Sequence, residues 1–275
     1  MKRLSAILAL AVFAAVPLSA QVSEIKVKEG KKFTYDLKSV STITQSMQGQ
    51  EMSMEINTEG GMDLQAKKVA KDRIEWDLSS KNIRVQSKSA LMPDGGMDTT
   101  LTLDPQSFVT DAKGNTLDQS QVDEKMAIVV GGMGESLAGQ LFLHATIMSM
   151  KPGESREVTK VDTVPLPMVE GTSMTITRTT VYHNDGNVDT MGVKAVRVRA
   201  QVTSMVIEGA GEIMGIPTEV NGDGVSSATY YYSQKDAVML ASLTNAEISM
   251  RMNMGAPANT LIPITQNINS TIVRK

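Results

Sequence analysis

The sequence predicts a mainly β (α+β) protein: two similar antiparallel β halves, drawn as half-barrels, with a short helical segment between them. Three observations carry this. Apolar and polar residues alternate with period two over most of the 275 residues, the pattern of strands with one greasy and one wet face. The alternation lapses from about Gln121 to Met150, where apolar residues recur nearer helical spacing. Clusters of Gly, Pro, Asn and Asp punctuate the alternating runs at strand-length intervals.

The chain opens MKRLSAILALAVFAAVPLSA. Lys2 and Arg3 precede an apolar run from Leu4 to Val16, then Pro17, Leu18, Ser19 and Ala20. This is the layout of a secretory signal peptide cut after Ala20, and the run is shorter than the roughly 20 residues of a membrane-spanning helix. The expected destination is export, to the periplasm or the medium, with no transmembrane span in the mature chain. No Cys follows the apolar run, so a lipid-modified N-terminus is excluded.

In the first half, Phe33, Tyr35, Leu37, Ile43 and Met47 share one face of a long strand, and Thr34, Asp36, Lys38, Thr42 and Thr44 the other. Gln48, Gly49 and Gln50 read as a turn. Met52, Met54, Ile56, Met62 and Leu64 then face one way, against Glu51, Ser53, Glu55, Asn57, Glu59 and Asp63. A third strand begins at Ile74, and its apolar phase shifts by Ile83 and Val85, which predicts a bulge near Ser80 and Lys81. PDGG at 93–96 and DAKGN at 111–115 are turn signals.

In the middle, Met126, Val129 and Val130, then Leu137, Leu141 and Leu143, predict two short helices separated at Gly131 and Gly132. Strands resume after Pro152 and Gly153. Val196, Val198, Ala200, Val202 and Val206 oppose Arg197, Arg199, Gln201 and Thr203. VNGDG at 220–224 reads as a turn, a hairpin begins at Tyr230–Tyr232, and Leu261 to Val273 is a closing strand interrupted by Pro263. The similar order of long strands after Gly30 and after Gly153 points to an internal repeat. The expected organisation is a signal peptide at 1–20, an N-terminal β repeat at 21–120, a helical connector at 121–150 and a C-terminal β repeat at 151–275.

EGKKFTYDLKSVSTITQSMQGQEMSMEI, the hairpin LTLDPQSFVTDAKGNTLD, the short helices and MKPGES opening the second half together carry a resemblance. The layout resembles an uncharacterised domain-of-unknown-function family of exported bacterial β-rich proteins. More distantly, the long hairpins are similar to the half-barrels of bacterial lipoprotein carriers, which hold acyl chains on a concave face. The first likeness brings no catalytic residues with it; the second is a likeness of fold alone.

Composition excludes several chemistries. Without Lys2 and Arg3, 25 of the 27 basic residues face 30 acidic ones, and an acidic chain with no basic block argues against nucleic acid as a partner. Zero Cys removes thiolate ligands and Cys nucleophiles. His144 and His183 are the two imidazoles: the first reads as a packed helical residue, the second as part of an exposed turn before NDGN. Ser136 in GESLAG lacks the glycine spacing of a nucleophile elbow, and IVVGGMGESLAG fails the dinucleotide and phosphate-loop spacings. Asp185, Asn187 and Asp189 have the first half of a calcium-loop spacing, but Thr190 and Val196 stand where Gly and an acid are required. The expectation is a protein that is not an enzyme and has no cofactor.

The 20 methionines are the conspicuous chemistry. In NAEISMRMNMGAP, Met250, Met252 and Met254 alternate with polar residues, in phase with Ile248; in EMSMEINTEGGM, Met52, Met54 and Met62 do the same, with Ile56. Thioethers suit Cu(I), yet residues two apart on a strand are about 6.6 Å apart, against metal–sulfur bonds of about 2.3 Å. An ordinary half-buried strand face is the simplest reading. The functional one is a groove for a lipid or other hydrophobic ligand lined by these eight residues, since Met moulds to varied apolar partners. The alternative is a structural or protein-interaction module whose greasy faces are filled, with Cu(I) handling behind both.

Overall fold

The computed structural model describes residues 24–275, apart from 48–49, 90–95, 103, 119–139, 143–144, 166–172, 214 and 257. The signal-peptide reading at 1–20, both predicted helices up to residue 139, and His144 lie outside the described residues.

Long alternating runs become long strands. They are β1 (Lys32–Met47), β2 (Gln50–Val69), β3 (Ile74–Ser89), β4 (Met97–Leu101), β5 (Gln106–Thr110), β6 (Thr116–Asp118), β7 (Ser155–Pro165), β8 (Ser173–Thr190), β9 (Val193–Ile213), β10 (Ile216–Ser233), β11 (Met239–Met254) and β12 (Thr260–Arg274). All belong to one antiparallel sheet of order β6-β5-β3-β2-β1-β12-β11-β10-β9-β8-β7, with β4 on the upper part of β3. The fold class is mainly β, as the alternation predicts, in an open sheet of half-barrel character. The two halves meet where β1 pairs β12 from Tyr35↔Arg274 to Gln45↔Ile264. Pro263 therefore does not interrupt β12: it lies one residue past the end of the β1 ladder and keeps its register with Arg251 on β11.

The chain walks outward from β1 to β6, crosses to the far edge, and walks back from β7 to β12. The crossing segment carries the described helix, α1 (Ala145–Met148). Leu141, Phe142, Ile147, Met148 and Met150 pack with Tyr35, Leu64 and Trp76 into one closed core. The Phe142 ring centroid is 4.6 Å from that of Trp76 and 6.0 Å from that of Phe108. Trp76 Nε1–H donates to Thr110 Oγ1 at 2.9 Å, and Tyr35 O–H donates to the Met239 carbonyl at 3.1 Å, so the buried aromatics keep their polar atoms satisfied. Burial pushes the Tyr35 phenol well above its ordinary pKa. The Ile25 and Lys26 N–H groups donate to the Ala112 and Asp236 carbonyls, tying both halves together at this end.

Three local readings are corrected. NDGN at 184–187 is no turn: it lies inside β8 at a bulge between Asn184 and Gly186, with Gly186 at φ 87°, and the chain reverses at Met191–Gly192 instead. VNGDG likewise lies inside β10, its glycines facing inward beneath methionines. Val206 does not share the inner face; a register shift between Thr179 and Thr180 on β8, opposite Ser204 and Val202, exposes it to 43% and turns Met205 and Ile207 inward. The expected bulge in β3 is present, centred on Asn82 and Ile83 opposite Gly60, with Asn82 at φ 45°.

Asp63 keeps its expected face, opposite in phase to Met62 and Leu64 and in register with Thr34, but is only 3% exposed there. Lys32 Nζ sits 2.7 Å from Oδ2, Lys81 binds the same oxygen, and the Thr34 hydroxyl donates to Oδ1 at 2.7 Å. Burial raises its pKa, but those three donors outweigh it and hold the carboxyl down at about 2. A depressed carboxyl stabilises the fold above the unfolded pKa of about 4 and loses that effect as pH falls toward 2. Asp63→Asn should therefore lower stability by about 1–2 kcal/mol at pH 7, discounted for the exposed lysines. The gap from wild type should close in denaturant titrations near pH 2; a gap independent of pH would refute the assignment.

Candidate functional site

The inner face carries a second, separate cluster toward the other end of the strands. Met174, Ile176, Val202, Met205, Ile207, Val220, Ile248 and Ile268 are buried there, with Ala246, Met250 and Met252 packed against them and only partly covered. Where the two clusters approach each other small side chains predominate on the inner face, with Ile268 and Val202 of the second cluster among them. One cross-strand row runs Thr58, Ser39, Ser270, Thr244, Ala228, Ala200, and the next runs Ser41, Ile268, Ala246, Ser226, Val202, Thr180. Small residues on an inner face either let a sheet coil tightly or leave volume above it.

The eight candidate groove residues all point to this inner face, in three settings. Ile248, Met250 and Met252 belong to or pack on the second cluster, Ile248 being 1% exposed, and Met254 continues the stripe half-buried. Met52, Met54 and Ile56 form a half-buried stripe on β2. Met62 is fully buried in the aromatic core. The two methionine stripes are separated by β1 and β12, as the registers Met54↔Ile43, Ile43↔Gln266 and Gln266↔Ile248 show. Three interstrand spacings place them about 14 Å apart along the sheet, too far for thioethers from both to share one ion.

Methionine and glycine are paired across strands. Met250 registers with Gly222 and Met174 with Gly209. A Cβ on Gly222 would lie 2.9 Å from Met250 Cγ, one on Gly209 3.0 Å from Met174 Cγ, and one on Gly224 3.1 Å from Met205 Sδ. The flexible thioether side chains thus lie across bare backbone rather than standing off the sheet, giving a smooth apolar floor.

The edge of this floor is charged. Arg178 occupies an inward position of β8, in phase with Met174 and Ile176, and is 8% exposed. Its Nη2 is 2.7 Å from Asp162 Oδ2, while its buried Nε–H has no acceptor. Sequence reasoning passed over this residue, although an arginine in the apolar phase of SMTITRTTVY is a legible signal.

The outer face carries a Ser155–His183–Asp185 group. Ser155 Oγ is 2.7 Å from His183 Nδ1, and His183 Nε2 is 3.3 Å from Asp185 Oδ1. Arg199 grips Asp185 with two nitrogens, and Arg197 Nε lies 2.8 Å away, off the hydrogen-bond line. The Arg199 bonds lead in holding the Asp185 carboxyl below the usual range. His183 is thus on a strand, not in the expected turn, and Asp185 is committed to arginines rather than offered to calcium. The group lies on the outer face of the sheet, with the Asp185 side chain 6% exposed beneath its arginines, and the Gly153 and Glu154 N–H groups beside it already donate to the Asn184 and Lys151 carbonyls, leaving neither to hold an oxyanion. Elsewhere on the outer face, Ser173, Thr175, Glu208, Gly209, Ala210, Glu219 and Asn221 line a shallow depression of about 500 Å³.

Neither protein-family models nor curated proteins give a match to this chain. Among the described residues, no group of three His, Cys, Asp or Glu could hold a metal ion, and no helix is long and apolar enough to cross a membrane.

Proposed function

We propose that this is a non-catalytic exported protein of the bacterial envelope that binds a lipid or other apolar ligand on the inner face of its sheet. The observation that carries the reading is the asymmetry of that face. One end is closed by Phe142 and α1 against Trp76, whereas the methionine stripes at the other end stay half-buried. Half-buried thioethers beside a floor of small residues suit a ligand of variable shape, since the unbranched, polarisable Met side chain moulds to irregular apolar surfaces.

The test is native purification followed by solvent extraction and mass spectrometry, with binding of a fluorescent acyl probe alongside. Replacing Met250 and Met252 together by Gln keeps length and adds polarity. It should weaken probe binding about tenfold or more, while Met191→Gln in the β8–β9 turn should leave it unchanged. A protein that carries no extractable apolar molecule and binds no probe would sink the reading. It would favour the filled structural or interaction module, to which the complete burial of Ile176 and Ile207 already lends weight.

A further inference from the structure

We propose that the ligand is an acyl lipid with an anionic head, a carboxylate or phosphate, and that Arg178 receives the head; this rests on the apolar-groove reading above. A guanidinium needs a reason to be in an apolar phase. Met174 and Ile176 precede Arg178 on the same face, Met205 is its cross-strand partner on β9, and both Met174 and Met205 are buried. The fork formed by Nε–H and an Nη nitrogen is the geometry that takes two oxygens of a carboxylate or phosphate. Here Asp162 engages Nη2 and leaves Nε–H unmatched. A buried charged donor without an acceptor is costly, and a ligand oxygen at Nε would remove that cost.

A second cationic side chain stands beside Arg178. Lys160 faces Arg178 across the β7–β8 ladder, and Asp162 faces Ile176. Lys160 and Arg178 thus stand side by side on the inward phase of β7 and β8, next to the carboxylate that Arg178 engages. The tail has a continuous path. From Arg178 the inner face runs through Met205 and Gly224 to Ile248 on β11, three strand spacings or about 14 Å, and Met250 follows Ile248 on the same face. Head and tail would thus be read by different residues.

The experiment compares hexadecanoate, hexadecyl phosphate, hexadecanol and inorganic phosphate, below their aggregation concentrations, against wild type, Arg178→Met and Asp162→Asn, with folding checked by circular dichroism. Wild type should bind the two anionic lipids about tenfold or more tighter than the alcohol, as a charge-assisted bond allows, and should not bind inorganic phosphate measurably. Arg178→Met should bind all three lipids alike, at the affinity of the alcohol. Asp162→Asn removes the competing carboxylate and should widen the preference for the anions. Equal binding of acid and alcohol by wild type, a preference that survives Arg178→Met, or acid affinity unchanged or weakened by Asp162→Asn would each overturn the head-group assignment while leaving the apolar groove standing. Tight inorganic phosphate would recast Arg178 as a free-anion site and overturn the lipid assignment. If no lipid binds wild type, the groove itself falls and the assignment with it.

Discussion

Phe142→Ala is expected to destabilise the protein by about 3–5 kcal/mol, the range for truncating a buried aromatic. Phe142 is 1% exposed, lies between Trp76 and Phe108, and bridges to Val238 through its backbone. Its ring packs on β3 and β5 while its backbone bridges to the residue before β11, so a cavity there loosens the closed end of the sheet. The chain has one Trp, and Trp76 touches the substituted ring, so its emission should shift to the red as water gains access. Denaturant titration followed by that fluorescence measures both effects. A loss below about 1 kcal/mol, under the range for core truncations, would mean that the crossing segment is not docked as described.

The second large effect is expected at Gly222. A Cβ there would meet the Ser249 carbonyl oxygen at 2.6 Å and Met250 Cγ at 2.9 Å. The thioether can move but the carbonyl belongs to the β10–β11 ladder, so Gly222→Ala must displace backbone and should cost about 1–3 kcal/mol, as overpacking does. Because part of the clash is with Met250, a double-mutant cycle with Met250→Ala should show a coupling of about 0.5 kcal/mol or more. Additive losses would mean that Met250 does not lie across Gly222. The same variant pushes Met250 off the floor, so it should also weaken acyl-probe binding.

Much of the fold was legible because period two is a local property. Phe33, Tyr35 and Leu37, then Met62 and Leu64, then Ile74, Trp76 and Leu78 are buried as their alternation requires, and the phase slip before Ile83 marked a real bulge. Local turn chemistry misled twice. Asn-Asp-Gly-Asn and Asn-Gly-Asp-Gly are strong reversal signals, yet both are strand interior, one because a bulge absorbs Gly186 and the other because Gly222 and Gly224 make room for methionines across the ladder. No neighbour-by-neighbour reading of β10 contains the side chains of β9 and β11 that require those glycines.

The candidate site divides in the same way. The inward direction of Met52, Met54, Ile248, Met250, Met252 and Met254 is written in their spacing. That Met62 belongs to the aromatic core, that two strands lie between the two stripes, and that Arg178 is buried beside Asp162 all depend on which strands become neighbours. Residue type and spacing alone gave the β class, the apolar phase of most strands and the absence of thiolate chemistry, since each is a local property. That both halves merge through β1 and β12, and that one end of the inner face is plugged while the other is half-covered, came from long-range packing. The β1–β12 pairing joins residues more than 200 positions apart and the plug joins Phe142 to Trp76 across the crossing segment, and strand order is a property of the whole sheet that no single strand encodes.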